Sequence, residues 1–140
     1  MIPIIKIPRP IPIQPRQSAF TRWFWDNLSM GHFETTQCAS CERLSFPPRE
    51  ICPTCLSPDY RFVELSGRGH LYTRTYVHMV PTRLIPIAPL SLGLVDLEEG
   101  LRIACTLLDR GEPLKIDDAI QMCCMKFNDG VLFGAAKGER

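Results

Sequence analysis

The chain has no long apolar run and almost no excess of charge of either sign. Its longest uncharged apolar stretch, Leu84 to Val95, is interrupted by Pro86 and Pro89 and falls far short of the ~20 residues a membrane helix needs. Proline also breaks the opening Met1-Ile2-Pro3-Ile4-Ile5-Lys6 before an apolar run of signal-peptide length develops. The expected location is therefore the cytoplasm, with no membrane partner. Lys and Arg number 16 against 15 Asp and Glu, a formal net charge of +1, split as +2 over residues 1–70 and −1 over 71–140. A groove that tracks a phosphate backbone needs a positive stripe, so nucleic acid is not an expected partner. Histidine is scarce: His32, His70 and His78 are the whole supply. No Ser-His-Asp order, glycine-rich phosphate loop or paired acidic site accompanies them. An independent enzyme built on His78 or Cys105 is the weakest of the functional readings.

What is present is a soluble globular composition, 45% apolar and 22% charged, over 140 residues, enough for one domain or two very small modules. The chain divides by pattern into four segments. Residues 1–17 form a Pro-rich N-terminal arm in which Pro3, Pro8, Pro10, Pro12 and Pro15 alternate with isoleucines. So many missing donors exclude a helix and favour extended conformation, either as a free tail or as an arm laid along a partner. Residues 18–31 read as an amphipathic helix with Ser18 as N-cap and Phe20, Trp23, Phe24 and Leu28 on one face, Trp25 beside them. That face either packs on the chain's own body or docks a partner, for which aromatic surfaces are well suited.

Residues 32–66 carry the clearest chemistry. Cys38-Ala39-Ser40-Cys41 and Cys52-Pro53-Thr54-Cys55 are two C-x-x-C pairs ten residues apart. Each pair turns tightly enough to aim two thiolates at one ion, and a hairpin between them brings four together at the ~2.3 Å of a Zn–S bond. The prediction is one structural zinc on Cys38, Cys41, Cys52 and Cys55. A redox C-x-x-C needs only one pair, and a rubredoxin-type iron site uses the same donors. Four cysteines leave no open position for a reactive water. The remaining three of seven cysteines, Cys105, Cys123 and Cys124, lie in apolar runs and read as buried, inert thiols.

Residues 67–140 change to short alternating runs. Five strands are expected at 68–77, 91–97, 101–108, 119–127 and 131–135, with turns at Glu98-Glu99-Gly100, Gly111-Glu112-Pro113 and Asn128-Asp129-Gly130. Five strands in this length fit an OB-type barrel, with an SH3-like barrel as the alternative. Strict alternation along the first strand puts Tyr72, Arg74, Tyr76 and His78 on one face. Two rings flanking a guanidinium can stack a base, from a single-stranded nucleic acid or a nucleotide cofactor, or can pack inside the barrel or against the ribbon. The loop 79–89, with Pro81, Pro86 and Pro89, is too apolar for an ordinary solvent loop. It covers the barrel mouth or enters another molecule.

These features together resemble the small proteins with an N-terminal helix, a rubredoxin-like zinc ribbon and a C-terminal OB-fold that accompany thiolases and other acyl-CoA-processing enzymes. The resemblance rests on Phe24-Trp25, Cys38-x-x-Cys41, Phe46-Pro47-Pro48-Arg49 and Cys52-Pro53-x-Cys55. It continues through Gly67-Arg68-Gly69, Thr75-Tyr76-Val77-His78 and Val95-Asp96-Leu97-Glu98-Glu99-Gly100, and covers roughly residues 18–134. Two departures stand out: residues 1–17 match nothing in the family pattern, and Asp117-Asp118 stands where relatives carry a glycine. The resemblance implies a mainly β fold with helix, ribbon and five-stranded OB barrel in that order. It also implies a non-catalytic or co-catalytic subunit of a thiolase-like partner, with acyl-CoA reached through the complex. Partner-binding residues would be Phe20, Trp23, Phe24, Trp25 and Leu28. The substrate-channel loop would use His78, Pro81, Arg83, Pro86 and Pro89, and Tyr72, Arg74 and Tyr76 would be candidate contacts for coenzyme A. A single-stranded nucleic-acid-binding module on the same tyrosine face is the alternative of a different class.

Overall fold

The computed structural model describes residues 1–139. Strand β1 (Ile4–Lys6) and helix α1 (Arg22–Ser29) precede a three-stranded sheet of β2 (Glu34–Cys38), β3 (Leu44–Ser45) and β4 (Tyr60–Glu64), ordered β3-β2-β4. The barrel follows as β5 (Arg68–Val77), β6 (Leu90–Leu97), β7 (Arg102–Leu108), β8 (Ala119–Phe127) and β9 (Gly130–Lys137), with a 3-10 helix at Thr82–Ile87 between β5 and β6. None of the five predicted strands is displaced by more than two residues at either end. They close as β5-β6-β7-β9-β8, with β8 returning to β5 through Arg68↔Gln121, Gly69↔Ile120 and His70↔Ala119. The β7–β9 pairing is parallel and the others in the ring are antiparallel. This is the OB-fold, and closure leaves the barrel without a long free edge.

Helix α1 is shorter than the aromatic spacing predicts. Ser18 does not cap it. The Thr21 amide donates to Ser18 Oγ at 3.2 Å and the Ser18 amide to Thr21 Oγ1 at 2.9 Å, which closes a separate turn ahead of the helix. Gly31, in the left-handed region at φ +87°, ends it, its amide donating to the Leu28 carbonyl at 2.9 Å. The helix faces inward. Phe24 and Leu28 are buried, and Phe24 meets Phe33, Phe46 and Phe133 with ring centroids 5.9–6.2 Å apart and Trp25 at 5.0 Å. These rings come from the helix, both ends of the ribbon hairpin and the last barrel strand, so one aromatic cluster joins all three parts. Truncating a ring so enclosed to alanine costs roughly 3–5 kcal/mol. Phe24 and Leu28 are thus core residues rather than docking residues, a correction with a simple cause: two modules this small bury their joint before they have apolar surface to spare.

The first part of the Pro-rich segment is laid along the chain's own barrel. Its strand β1 pairs in parallel with β8 through Ile4↔Cys124, Ile5↔Met125 and Lys6↔Lys126, and the Ile7 amide continues to the Lys126 carbonyl at 2.8 Å. This stretch of β8 has lost its neighbour because β5 stays with β8 only over residues 68–70. Ile2 enters the main core, while Ile5, Ile7 and Ile11 pack on a second cluster of Cys123, Met125 and Phe127. The Ile11 amide donates to Asp129 Oδ1 at 2.7 Å, tying the segment to the β8–β9 turn.

The ribbon meets the barrel at a joint built from the sequence motifs. Gly69 lies so close to β6 that a Cβ there would collide with the Asp96 carbonyl, and Gly67, at φ +77°, has Gln121 Nε2 2.8 Å from the position of a Cβ. Between them Arg68 forks onto Glu98 at 3.0 and 3.2 Å, and Glu99 Oε2 accepts the Ser66 amide at 2.8 Å. Beside the same end of β5, where its amide donates to the Leu71 carbonyl at 2.8 Å, Asp117 adopts φ +72°. Aspartate tolerates the left-handed region better than most residues with a side chain, so the turn before β8 survives without glycine.

Candidate metal centre and surface sites

The two C-x-x-C pairs fold into matching turns. In the first, the Cys38 amide donates to the Arg43 carbonyl and the Glu42 amide to the Cys38 carbonyl, both at 3.0 Å. In the second, Cys52 and Ser57, then Leu56 and Cys52, repeat the pattern at the same distances. Glu42 and Leu56, each just after the second cysteine, take positive φ of 64° and 62°. These left-handed residues turn the chain back, so that the Cys41 amide points at Cys38 Sγ (3.4 Å) and the Cys55 and Thr54 amides at Cys52 Sγ (3.5 and 3.4 Å). The same amide contacts hold the Cys38 thiol below its usual range and bring that of Cys52 down to about 6. All four sulfurs lie within 4.8 Å of one another, with Cys38–Cys55 and Cys41–Cys52 at 3.5 Å. A tetrahedron at the Zn–S length has S–S edges of about 3.8 Å. The donor set and its spacing fit a tetrathiolate metal centre, and no fifth group converges on it among the described residues.

The other three cysteines are buried, and burial pushes their thiols up, Cys105 to about 12 and Cys123 and Cys124 to about 11. A nucleophile needs the thiolate, so Cys105 offers no catalytic reading.

The tyrosine face expected on β5 does not exist as one surface. The register on β6 slips between Leu71 and Thr73, which face Val95 and Leu94 in succession, leaving Tyr72 as the extra residue of a bulge. A one-residue slip exchanges the faces of everything beyond it. Tyr72 points outward, under Arg102 at 3.5 Å from its ring centroid, while Arg74 lies opposite buried Gly93 on the barrel-interior side with Tyr76 beside it at 4.6 Å. Both terminal nitrogens of Arg74 are engaged: Nη1 donates to Asp109 Oδ1 and the Leu114 carbonyl, Nη2 to Asp109 Oδ2 and Ser91 Oγ, all at 2.6–2.9 Å, while Nε is buried without a partner. It clamps the β5, β6 and β7 ends together and has no free donor on its fork for a phosphate. The stacking platform, for nucleic acid or for coenzyme A, is corrected on this geometry. Nothing in the sequence signals the Asp109 partner, because the pair exists only once the barrel closes.

The loop 79–89 curls into the 3-10 helix, anchored by buried Leu84. His78, Pro81, Arg83, Pro86 and Pro89 are exposed along it, as are Met79 at 93% and Ile85 at 60%. Below it a mainly apolar groove of about 460 Å³ opens between Leu84, Ile87, Leu90 and the arm residues Ile7 and Ile13. On the ribbon, Phe20 and Trp23 pack edge-on against Tyr60 (5.7 Å) and Phe62 (4.3 Å), leaving Phe62 half exposed. Tyr60 and Phe62 were not singled out from the sequence; their alternate positions in the run Tyr60–Glu64 were the signal that could have found the strand.

Two family models match adjoining stretches: residues 25–61 the rubredoxin-like zinc ribbon domain of ChsH2, and residues 62–124 its C-terminal OB-fold domain. The chain is 38% identical over 74 residues to a DUF35 domain-containing scaffold protein of Methanocaldococcus jannaschii, covering 52% of each. It is 34% identical over 100 residues to a probable enoyl-CoA hydratase alpha subunit of Thermomonospora curvata, covering 71% of this chain and 30% of that one. With the benzoylsuccinyl-CoA thiolase subunit BbsA of Thauera aromatica it shares 31% over 88 residues, 61% and 58% of the two chains. The chain thus spans about half the length of the first of these relatives and under a third of the second. A chain of the Ltp2-ChsH2(DUF35) aldolase matches with a TM-score of 0.75 over 89% of this chain and 98% of its own, at 23% identity, which shows a shared fold. No helix of the described residues is long and apolar enough to cross a membrane.

Proposed function

Because the chain belongs to the ChsH2 family, with that family's zinc ribbon and OB-fold in consecutive order, we propose that it is an accessory subunit of a thiolase-like, acyl-CoA-processing complex. One structural zinc on Cys38, Cys41, Cys52 and Cys55 holds the ribbon, and its closed thiolate set makes it a staple with no position for substrate. The observation that carries the partner reading is the apolar lip at the barrel mouth. Met79 and Ile85 stand exposed while Leu84 pins the same turn to the body, an arrangement that offers large apolar side chains on a held backbone. In this reading the lip, with His78, Pro81, Arg83, Pro86 and Pro89, borders the partner's thioester channel. Phe20, Trp23 and Trp25, half-buried here, flank the contact rather than form its centre. The names of the thiolase and hydratase relatives support a CoA-thioester setting.

The test is reconstitution. The full chain, co-expressed with a thiolase-like protein of the same cell, should give a stable complex whose thioester turnover is lost when the chain is omitted. Replacing residues 82–87 by a short flexible linker should leave assembly intact and lower turnover, because a channel lip positions substrate without joining subunits. A thiolase-like protein that neither binds the chain nor changes activity without it would refute the reading.

A further inference from the structure

The molecule treats its two sheet edges differently. The bare stretch of β8 is filled by the chain's own β1, whereas β4, at the outside of the ribbon sheet, has no neighbour beyond β2. The hydrogen-bond phase on β4 is set by its flanks: the Leu65 amide donates to the Phe33 carbonyl at 2.8 Å and the Ala39 amide to the Asp59 carbonyl at 2.9 Å. With the observed register of Thr35↔Val63 and Gln37↔Arg61, alternation turns the amides and carbonyls of Arg61 and Val63 toward β2. Those of Tyr60, Phe62 and Glu64 therefore point out of the sheet, and none of them meets a partner among the described residues. Natural edges of this kind are guarded by charged side chains, proline or a bulge, and of these β4 carries only Arg61 and Glu64. Here the strand reads Tyr60-Arg61-Phe62-Val63-Glu64, paired to β2 without a register shift, and its aromatic face continues into Phe20 and Trp23.

We infer that β4 is the acceptor edge for an extended strand of the partner enzyme, which joins the ribbon sheet by backbone pairing with Tyr60, Phe62 and Glu64. The inference rests on the accessory-subunit reading above and names the surface through which the partner is held. Backbone groups of alternating polarity along an edge are satisfied by an extended segment and by no other element. The segment carries apolar side chains at alternate positions, against Phe62 and Trp23; on the other face Arg61 is already held by its own chain, Nε donating to Gln37 Oε1 at 3.0 Å and Nη2 lying 4.0 Å from Glu42. A second copy of this chain fits less well. Antiparallel self-pairing centred on Phe62 sets the two Arg61 side chains diagonal to each other on one face, a like-charge contact.

Amide hydrogen exchange on the isotope-labelled full chain, free and in the complex, tests this. In the free chain Arg61 and Val63 should be protected and Tyr60, Phe62 and Glu64 should exchange freely. In the complex the latter three should slow by at least about ten-fold. Phe62→Pro removes one outward donor without touching the ladder to β2, and should weaken assembly at least about ten-fold at unchanged metal content, while Phe62→Ala keeps the donor and should weaken it less. A complex in which the three amides stay unprotected would overturn the inference and leave the accessory-subunit reading standing. Concentration-dependent protection in the free chain would overturn it in favour of self-association. Failure of the unaltered chain to form any complex would remove both.

Discussion

Arg74 and Asp109 meet fork to fork, Nη1 to Oδ1 at 2.9 Å and Nη2 to Oδ2 at 2.8 Å, with Ser91 Oγ and the Leu114 amide adding further bonds to the carboxylate. The guanidinium holds the Asp109 carboxyl down to about 2. A carboxyl whose folded pKa is depressed stabilises the fold above its unfolded value and loses that contribution as pH falls through the folded one. The pair should thus contribute roughly 2 kcal/mol at neutral pH, lost between about pH 4 and pH 2. Urea unfolding of the unaltered chain and of Asp109→Asn, compared from pH 6 downward, should show a gap that closes over that window. Acid release of metal is common to both proteins and cancels in the difference. A gap that stays constant with pH would show that the carboxylate charge is not what stabilises the clamp.

Metal removal should act on the ribbon first. Binding to four thiolates contributes on the order of 10–16 kcal/mol in small zinc modules, more than so small a sheet can offset. Strong chelation, or Cys52→Ser, should abolish the slow-exchanging amides of β2 and β4, and elemental analysis, expected to give one zinc per unaltered chain, should then give none. The barrel strands β5 to β9 should keep their protection longer, because Leu71, Val95, Ile103, Ile120 and Met122 pack barrel strand on barrel strand, while Phe33 and Leu65 at the ribbon's base join the same core. Folded ribbon with no metal bound would contradict the assignment.

Two glycines in the barrel domain should respond to alanine very differently. At Gly69 the new Cβ meets the Asp96 carbonyl, a backbone atom that cannot swing aside, so Gly69→Ala should lose at least about 3 kcal/mol or fail to fold, as overpacking against rigid atoms does. At Gly111, φ is +93° but no atom lies within 4 Å of the added Cβ. Gly111→Ala should therefore lose only the ~1–2 kcal/mol of a left-handed L-residue. Thermal melting of the two variants distinguishes these outcomes, and equal losses would show that the close approach at Gly69 is not rigid.

The cluster of four cysteines, the five barrel strands and their turns were legible in the amino-acid sequence because each depends on local rules: cysteine spacing, period-two alternation, and glycine or aspartate where the chain must turn. The same locality explains the errors. Strict alternation placed Tyr72, Arg74 and Tyr76 on one face, and a single bulge against β6, a relation between two strands, separated Tyr72 from the other two. The helix periodicity showed correctly that Phe24 and Leu28 share a face, but whether that face meets its own ribbon or another molecule depended on Phe33, Phe46 and Phe133 arriving at the same point. Prolines at 3, 8, 10, 12 and 15 declared the first residues extended, and only closure of the barrel, which leaves part of β8 without β5, determined that the extended segment would be its neighbour. Composition and spacing determine what each segment is able to form. Which surfaces are spent inside the molecule, and which remain for a partner, is decided when distant strands compete for the same edge.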